Sequence, residues 1–424
     1  MKQTFDTCVL GGGIPGIYAM YKLDDADTCL INSGKNLGGM ANGFSWNKYN
    51  LDFGCRFLDG DSNLFRFYEL VGKATELNIN YGAYNSGVLK NDIASPEYNS
   101  KELLSQVLEE LENLNPEEIE HQSSLEGVLI NKFGLTLGSY LSTIQKKITG
   151  HNADKISSHD YMKIPLLHRI RVLDDMISNQ LKSKNDYLET ILCSSLASRN
   201  QGSKQVSMYS SNTNLRSFGI NAQSYLKNRN LEFKNNFQIK KIKKNKKNFE
   251  IISEDGQIIE CKHIISTLGY GQISNIFNLP KINNAIYTNF NFVAIEVSTD
   301  HISDTHYVQD FDVENISYRT SNMGNYSNQI IDSKTFILVE IPYGYDAPNF
   351  KIEKIIKEVI KQGILKKSAE INDYKIFDFK NIISFNSEIS DYEIDDNFFE
   401  LDYKIFDTKN RLYYLDTVIE NLKL

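Results

Sequence analysis

At 424 residues, 41% of them hydrophobic, the chain is long enough for two or three domains with sizeable cores, which excludes a disordered or fibrous protein. A formal net charge of −8 excludes bulk electrostatic attraction to nucleic acid. The five cysteines (Cys8, Cys29, Cys55, Cys193, Cys261) never form a C-x-x-C, so a reduced compartment is expected, with no disulfide framework and no metal. No stretch approaches the roughly 18 apolar residues of a membrane span, and the N-terminus enters a strand directly instead of a charged, then apolar, leader. A cytoplasmic protein is expected.

Thr4 to Leu10 reads as a short buried strand, Gly11 to Gly16 as a turn, and Ile14 to Leu23 as a helix with Ile17, Met20 and Tyr21 spaced for one face. Within the turn Gly11, Gly13 and Gly16 satisfy G-x-G-x-x-G: tight turn, close backbone approach to a pyrophosphate, close helix packing. The free N–H groups and positive dipole end of the helix, starting at Ile14 and Pro15, then face the phosphates. A second strand, Thr28 to Asn32, ends where an acidic residue normally accepts hydrogen bonds from the adenosine ribose. Asn32 can still bond hydroxyls but brings no charge, and Ser33 follows it; the other reading of Asn32 is an ordinary strand-end turn residue.

Next come paired glycines, Gly38 and Gly39, before Met40, then a short hairpin through Asn47 and Lys48 and the segment Asp52-Phe53-Gly54. From residue 124 the apolar positions Leu125, Val128, Leu129 and Phe133, then Leu137, Tyr140, Leu141 and Ile144, recur at helical spacing. Residues 231 to 268 read as strands over Phe237 to Ile242, Phe249 to Ser253, Gln257 to Cys261 and His263 to Thr267, with a tight Asp255-Gly256 turn. The lysines at 240, 241, 243, 244, 246 and 247 flank this hairpin and read as a solvated strand edge rather than a nucleic-acid patch. Residues 306 to 344 read as an aromatic strand, an acidic turn, Arg319 directly after Tyr318, and a strand carrying Glu340.

The glycine turn, the Gly-Gly turn and the D-x-G segment together resemble the N-terminus of the FAD-binding amine oxidase, protoporphyrinogen oxidase and UDP-galactopyranose mutase superfamily. Phe133-Gly134 and Leu137 match a "FG-x-x-L" turn of the mutase-like branch, although Thr149 replaces its tryptophan before Gly150. The resemblance implies an α/β protein with a GR2-type FAD-binding Rossmann-like domain from residues 1–90, 200–280 and 390–424, a helical insertion over 91–199 and a β-sheet substrate domain over 281–389. It implies cofactor contacts at Gly11, Gly13, Ile14, Pro15, Gly16, Asn32, Ser33, Gly38, Gly39, Met40 and Gly54, and at Ile239, whose backbone would meet the adenine.

Two departures stand out. Gly54-Cys55-Arg56 replaces the family's histidine near the flavin; Arg56 cannot act as a base but suits a negative charge on flavin or substrate. At the C-terminus Arg411 to Leu415 reads as a strand and Asp416 or Thr417 as the cap of one or two helical turns, so much of the family's last loop and helix is expected to be missing, with Asp416 a candidate ribityl or pyrophosphate contact. Arg319 would point into the substrate site as an anion-binding fork; its other reading is an ion pair with Asp310 or Asp312.

The expected function is a flavoenzyme acting on a nucleotide-linked or otherwise anionic sugar in surface-polysaccharide biosynthesis, by mutase-like ring re-closure or by oxidation. The alternatives are an amine-oxidase-type oxidoreductase on a small amine or alcohol, and a flavin-poor or flavin-free descendant with a binding or assembly role. A small-molecule substrate is expected, with no nucleic acid and no membrane span; an oligomer is compatible.

Overall fold

A computed structural model of the chain describes residues 2–52, 58, 60–77, 79–85, 88–90, 101–114, 122–163, 175–185, 188, 207–210, 214–245, 247–279, 285–385, 394–400 and 408–423. The chain divides into two units, Met1–Asn78 with Val206–Asn283 and Glu388–Leu424, and Ile79–Gln205 with Asn284–Ser387.

The first unit is built on β1 (Lys2–Leu10), whose inner half Thr7 to Leu10 is buried. β1 pairs in parallel with β2 (Thr28–Ile31) on one side and β12 (Ile258–Ser266) on the other; β2 pairs in parallel with β9 (Glu232–Lys234). The far edge of β12 takes the antiparallel ribbon β10 (Ile239–Asn245) and β11 (Asn248–Ser253) and then, in parallel, β18 (Phe398–Glu400). A parallel sheet of this kind is buried on both faces and reads as apolar runs. Cys8, Leu10, Cys29, Ile31, Ile251, Ile259 and Ile264 form its core, each large aliphatic contributing about 1.5–3 kcal/mol on burial. Two antiparallel pairs complete the unit: the hairpin of β3 (Phe44–Trp46) with β4 (Tyr49–Leu51), turning at Asn47 with φ 50°, and β5 (Ala74–Leu77) with β8 (Ser207–Ser210), which are distant in sequence.

The two strands expected over 257–261 and 263–267 are one continuous strand, β12, over 258–266. Lys262, which reads as a break, points outward and pairs with Asp6 at 2.6 Å while its neighbours stay in register with β1. Lysines 240, 241, 243 and 244 are exposed on β10, the outermost strand of the described sheet.

Four helices belong to this unit: α1 (Ile14–Leu23), α2 (Ser62–Gly72), α7 (Arg216–Asn228) and α8 (Tyr270–Phe277). Asp61 caps α2 by accepting from Asn63 and Leu64 amides at 3.0 and 3.1 Å. The C-terminal segment corrects the strand expected over Arg411 to Leu415: it is helical throughout, α11 (Thr408–Lys423), so the expected loss of the last helix is also overturned. Leu412, Leu415, Val418 and Ile419 recur at helical spacing and are buried, and α11 packs on α1. The β-propensity of the Leu-Tyr-Tyr-Leu run yields to that packing.

In the second unit the sheet order is β17 (Ile371–Phe385), β13 (Ile286–Ser298), β16 (Lys334–Tyr343), β15 (Arg319–Asn322), β14 (Tyr307–Asp310), β6 (Tyr81–Asn85) and β7 (Val88–Lys90). β6 and β7 lie within the stretch 1–90 assigned above to the cofactor domain, yet they pair into this second sheet. The amphipathic helix α10 (Ile352–Lys361) packs Ile355 and Val359 against Val293, Ile295, Val339 and Ile341, and a short helix, α9 (Met323–Ser327), follows β15. Helices α3 (Lys101–Glu112), α4 (Leu125–Phe133), α5 (Leu135–Thr149) and α6 (Asp175–Lys182) belong to the same unit. Leu125, Leu129, Phe133, Leu137, Leu141 and Ile144 form their shared core, as the helical spacing predicts. Gly134, at φ 83°, lets α4 turn directly into α5. No helix among the described residues is long and apolar enough to cross a membrane.

Candidate functional site

The turn after β1 is made almost entirely of backbone. Gly11, at φ 106°, donates its N–H to the Ile31 carbonyl at 2.9 Å, and a methyl there would stand 2.4 Å from Thr267 Oγ1. A methyl on Gly16 would stand 1.8 Å from the Gly11 carbonyl oxygen, so only glycine lets α1 settle this close to the strand end. Gly38 bridges Gly13 and donates its N–H to the Gly12 carbonyl at 2.7 Å; a methyl on Gly39, at φ 55°, would stand 3.0 Å from Gly13 Cα. The two glycine turns therefore stack main chain on main chain. Gly219 on α7 seals the stack from below, where a methyl would meet the Leu37 carbonyl at 1.9 Å.

Gly13 differs from its neighbours: nothing lies nearer to an added methyl than its own Pro15 Cδ, at 3.7 Å. It is the N-cap of α1, no side chain caps that helix, and no acid lies in its first turn. The positive dipole end of α1 is thus left without a side-chain cap or a neighbouring acid, and a Gly13 methyl would meet only Pro15 within 4 Å, both of which suit anion binding. Ile14 is buried in the first helical turn, and Pro15 occupies a position where its missing donor costs nothing.

At the end of β2, Asn32 is 5% exposed. Phe237 donates its N–H to the Asn32 carbonyl at 3.0 Å, and Gln238 Nε2 donates to the Ser33 carbonyl at 3.1 Å. The first residue of β10, Ile239, is thereby brought alongside Asn32 and Ser33, three expected cofactor contacts, of which Asn32 and Ile239 are expected at the adenosine half of a dinucleotide. Met40 lies in the 3-10 turn Gly39–Asn42 and is 60% exposed.

Other expected site residues are placed differently. Asp416 lies on α11, where it accepts from Tyr18 and pairs with Lys22 Nζ at 2.9 Å; its carboxylate faces the later turns of α1, not the glycine turn. Arg319 makes a bidentate pair with Glu340, its strand neighbour in β16, at 2.9 to 3.1 Å. Burial works against the guanidinium charge, yet Glu340 beside it more than offsets this and raises the Arg319 pKa. Neither Asp310 nor Asp312 is its partner: Asp310 binds Lys147 at 2.7 Å. Arg319 shares its sheet face with Gln309 and Phe292, a mixed polar and aromatic surface. Gly54 and Arg56 lie outside the described residues.

Sequence reasoning passed over several residues that build the site. Gly12 must be glycine because Asn32 lies under it; Gly219 and Gln223 touch the approach to the second glycine turn at Leu37 from distant positions; Asn235 links Gln223 to Asn32; and buried Asp52 accepts from the Leu215 N–H at 3.0 Å, at the start of α7. Only the D-x-G pattern flags any of these in advance.

No protein-family profile matches the chain, and no curated protein sequence matches it. Solved structures do. Reduced UDP-galactopyranose mutase is similar at a TM-score of 0.64 and 14% identity, over 89% of this chain and 82% of that one. A putative protoporphyrinogen oxidase from Exiguobacterium sp. 255-15 is similar at 0.64 and 12% identity, over 99% of this chain and 98% of its own. Putrescine oxidase bound to putrescine is similar at 0.57 and 13% identity, over 89% and 85%. The chain has the α/β fold of these proteins.

Proposed function

We propose that the first unit binds FAD and that the protein is a flavoenzyme acting on a small molecule. The observation that carries this reading is the side-chain-free space at Gly13, bounded by a second glycine turn and entered by an uncapped helix N-terminus. The residues present fit the cofactor: the main-chain N–H groups of Gly13, Ile14 and Gly16 would take the pyrophosphate, Asn32 a ribose hydroxyl, and the backbone at Ile239 the adenine, with Gly38 and Gly39 giving close approach. Bound flavin would supply the electron and hydride chemistry, while the chain would bind, orient and exclude water.

For the substrate, the likeness to UDP-galactopyranose mutase supports a nucleotide-linked sugar, and with it a role in surface-polysaccharide biosynthesis. A second reading, oxidation of a small amine or alcohol, is favoured by the Arg319–Glu340 pair: an arginine already neutralised by a 2% exposed carboxylate offers a diphosphate little net charge.

The deciding experiment is titration of the purified protein with FAD, followed by its visible spectrum and melting temperature. A ligand that binds only the native state raises stability, so the melting temperature is expected to climb with FAD concentration as flavin bands appear on the protein. A colourless protein whose melting temperature ignores excess FAD would leave a flavin-free binding or assembly role. Anaerobic bleaching by an amine or alcohol selects oxidation; turnover of a nucleotide sugar only after dithionite reduction selects the mutase route.

A further inference from the structure

Asn32 occupies the position where dinucleotide folds place a carboxylate. Its Nδ2 lies within donating distance of three oxygens, the Gly34 carbonyl at 2.9 Å, the Asn36 carbonyl at 3.1 Å and Asn235 Oδ1 at 2.8 Å, and shares its two hydrogens among them. The two carbonyls can only accept, so the amide is turned one way. The far end of the network is set as firmly. Gln223 Oε1 accepts from the Leu37 N–H at 3.3 Å and from Asn235 Nδ2 at 2.8 Å. A main-chain N–H can only donate, so Gln223 presents oxygen, and Asn235 must turn its NH2 to Gln223 and its oxygen to Asn32. Main-chain groups thus dictate all three side-chain amides.

The loop held in this way leads into Gly38, whose N–H binds the Gly12 carbonyl at 2.7 Å. Asn32 Oδ1 lies against Gly12, 2.5 Å from where a methyl would stand, and accepts no hydrogen bond among the described residues. One acceptor is left on a residue otherwise fully engaged.

We propose that Asn32 is a positioning residue: its NH2 group locks the loop between the two glycine turns, leaving only its oxygen for a ligand hydroxyl, so the carboxylate usual in this fold is excluded here. The ligand half rests on the FAD reading; the loop half does not. In Asn32→Asp a carboxylate would face three acceptor oxygens. Turning Asn235 and Gln223 over cannot relieve it, because the reversal ends with Gln223 NH2 against the Leu37 N–H. Toward the ligand, a ribose hydroxyl satisfies the lone acceptor and a phosphate ester does not. The charged side chains on the surrounding segments include Lys35, exposed in the loop, the exposed Lys240 on β10, Lys227 on α7, whose ammonium lies 6.0 Å from the centre of the Phe233 ring, and Lys234 on β9, which pairs with Glu232 at 3.4 Å.

The test compares the full-length protein with Asn32→Asp and Asn235→Ala, reading melting temperature and FAD affinity at about pH 8 and about pH 5. At the higher pH Asn32→Asp is expected to lower the melting temperature and weaken FAD about tenfold, as loss of a buried hydrogen-bond set does. At the lower pH both defects shrink, because the protonated carboxyl regains a donor; Asn235→Ala is impaired alike at both. Asn32→Asp binding FAD as tightly as the parent at the higher pH, or a defect indifferent to pH, overturns the proposal. If the parent takes up no FAD, the cofactor reading fails, and the melting temperatures still judge the loop.

Discussion

The Tyr18 hydroxyl donates to both carboxylate oxygens of Asp416, at 2.8 and 2.9 Å, joining the second turn of α1 to the C-terminal helix. Burial, then the Asp416 carboxylate, raises the Tyr18 pKa far above the ordinary phenol range, so the proton stays on tyrosine. Lys22 completes the cluster at 2.9 Å. The contact ties the helix that presents the glycine turn to the end of the chain.

Tyr18→Phe removes this charge-assisted bond and leaves Asp416 with Lys22 alone. An expected loss of about 1–2 kcal/mol would be read from urea unfolding. An unchanged midpoint would show that the partly exposed Lys22 pair suffices.

Glycine substitutions should separate folding from ligand binding. Gly13→Ala meets nothing closer than 3.7 Å and has ordinary φ of −73°, so stability should stay within about 0.5 kcal/mol, yet its methyl would enter the space assigned to the pyrophosphate and abolish FAD uptake. Gly269→Ala, with nothing within 4 Å, is the silent control. Gly219→Ala, 1.9 Å from the Leu37 carbonyl, should lose both stability and FAD. Paired thermal melts and FAD titrations check all three, and FAD bound normally by Gly13→Ala would refute the placement.

Lys147 and Asp310 form a pair whose side chains are 8% and 0% exposed; Asn315 and Gln362 also donate to Asp310, at 2.9 and 2.6 Å. Burial is the largest influence on each, lowering the lysine pKa and raising that of the aspartate, but their contact keeps the charges matched. Lys147→Met strands the carboxylate and should cost about 3–5 kcal/mol, whereas Lys147→Met with Asp310→Asn should recover much of it. Equal losses in the single and double variants, measured by chemical denaturation, would argue against the pair.

His306 accepts the Asn80 N–H at Nδ1, at 3.1 Å, and burial lowers its pKa although Asp304 acts the other way. The folded state thus binds this proton less readily than the unfolded chain. Its contribution to stability is present above the ordinary histidine value of about 6.5 and is lost as pH falls below it. Unfolding midpoints should drop across that window in the parent more steeply than in His306→Gln; parallel curves would place the dependence elsewhere.

Much of the first unit is legible in the chain itself. The strand, glycine turn and helix from residues 2 to 23 carry their own signals, because apolar period, φ freedom and helix-start chemistry are local properties. Helices α4 and α5 follow for the same reason. Arg411 to Leu415 reads as a strand ahead of a short helix, whereas it lies inside the C-terminal helix, since Leu412 to Leu415 has mixed propensity and only packing on α1 resolves it. The Gly12–Asn32 contact, the amides of Gln223 and Asn235, and the Arg319–Glu340 pair were invisible in advance, because each joins residues whose nearness depends on strand order.

By itself the sequence determined the phosphate-type turn and the class of fold, because a backbone cradle needs glycines at set positions wherever the rest of the chain goes. Only the tertiary structure decided what the side chains around that cradle do. Asn32 is turned inward by carbonyls and by a residue about two hundred positions away, Asp416 is drawn to α1, and Arg319 is matched by Glu340. A polar group's role follows from which partners reach it first, and chain order does not record those distances.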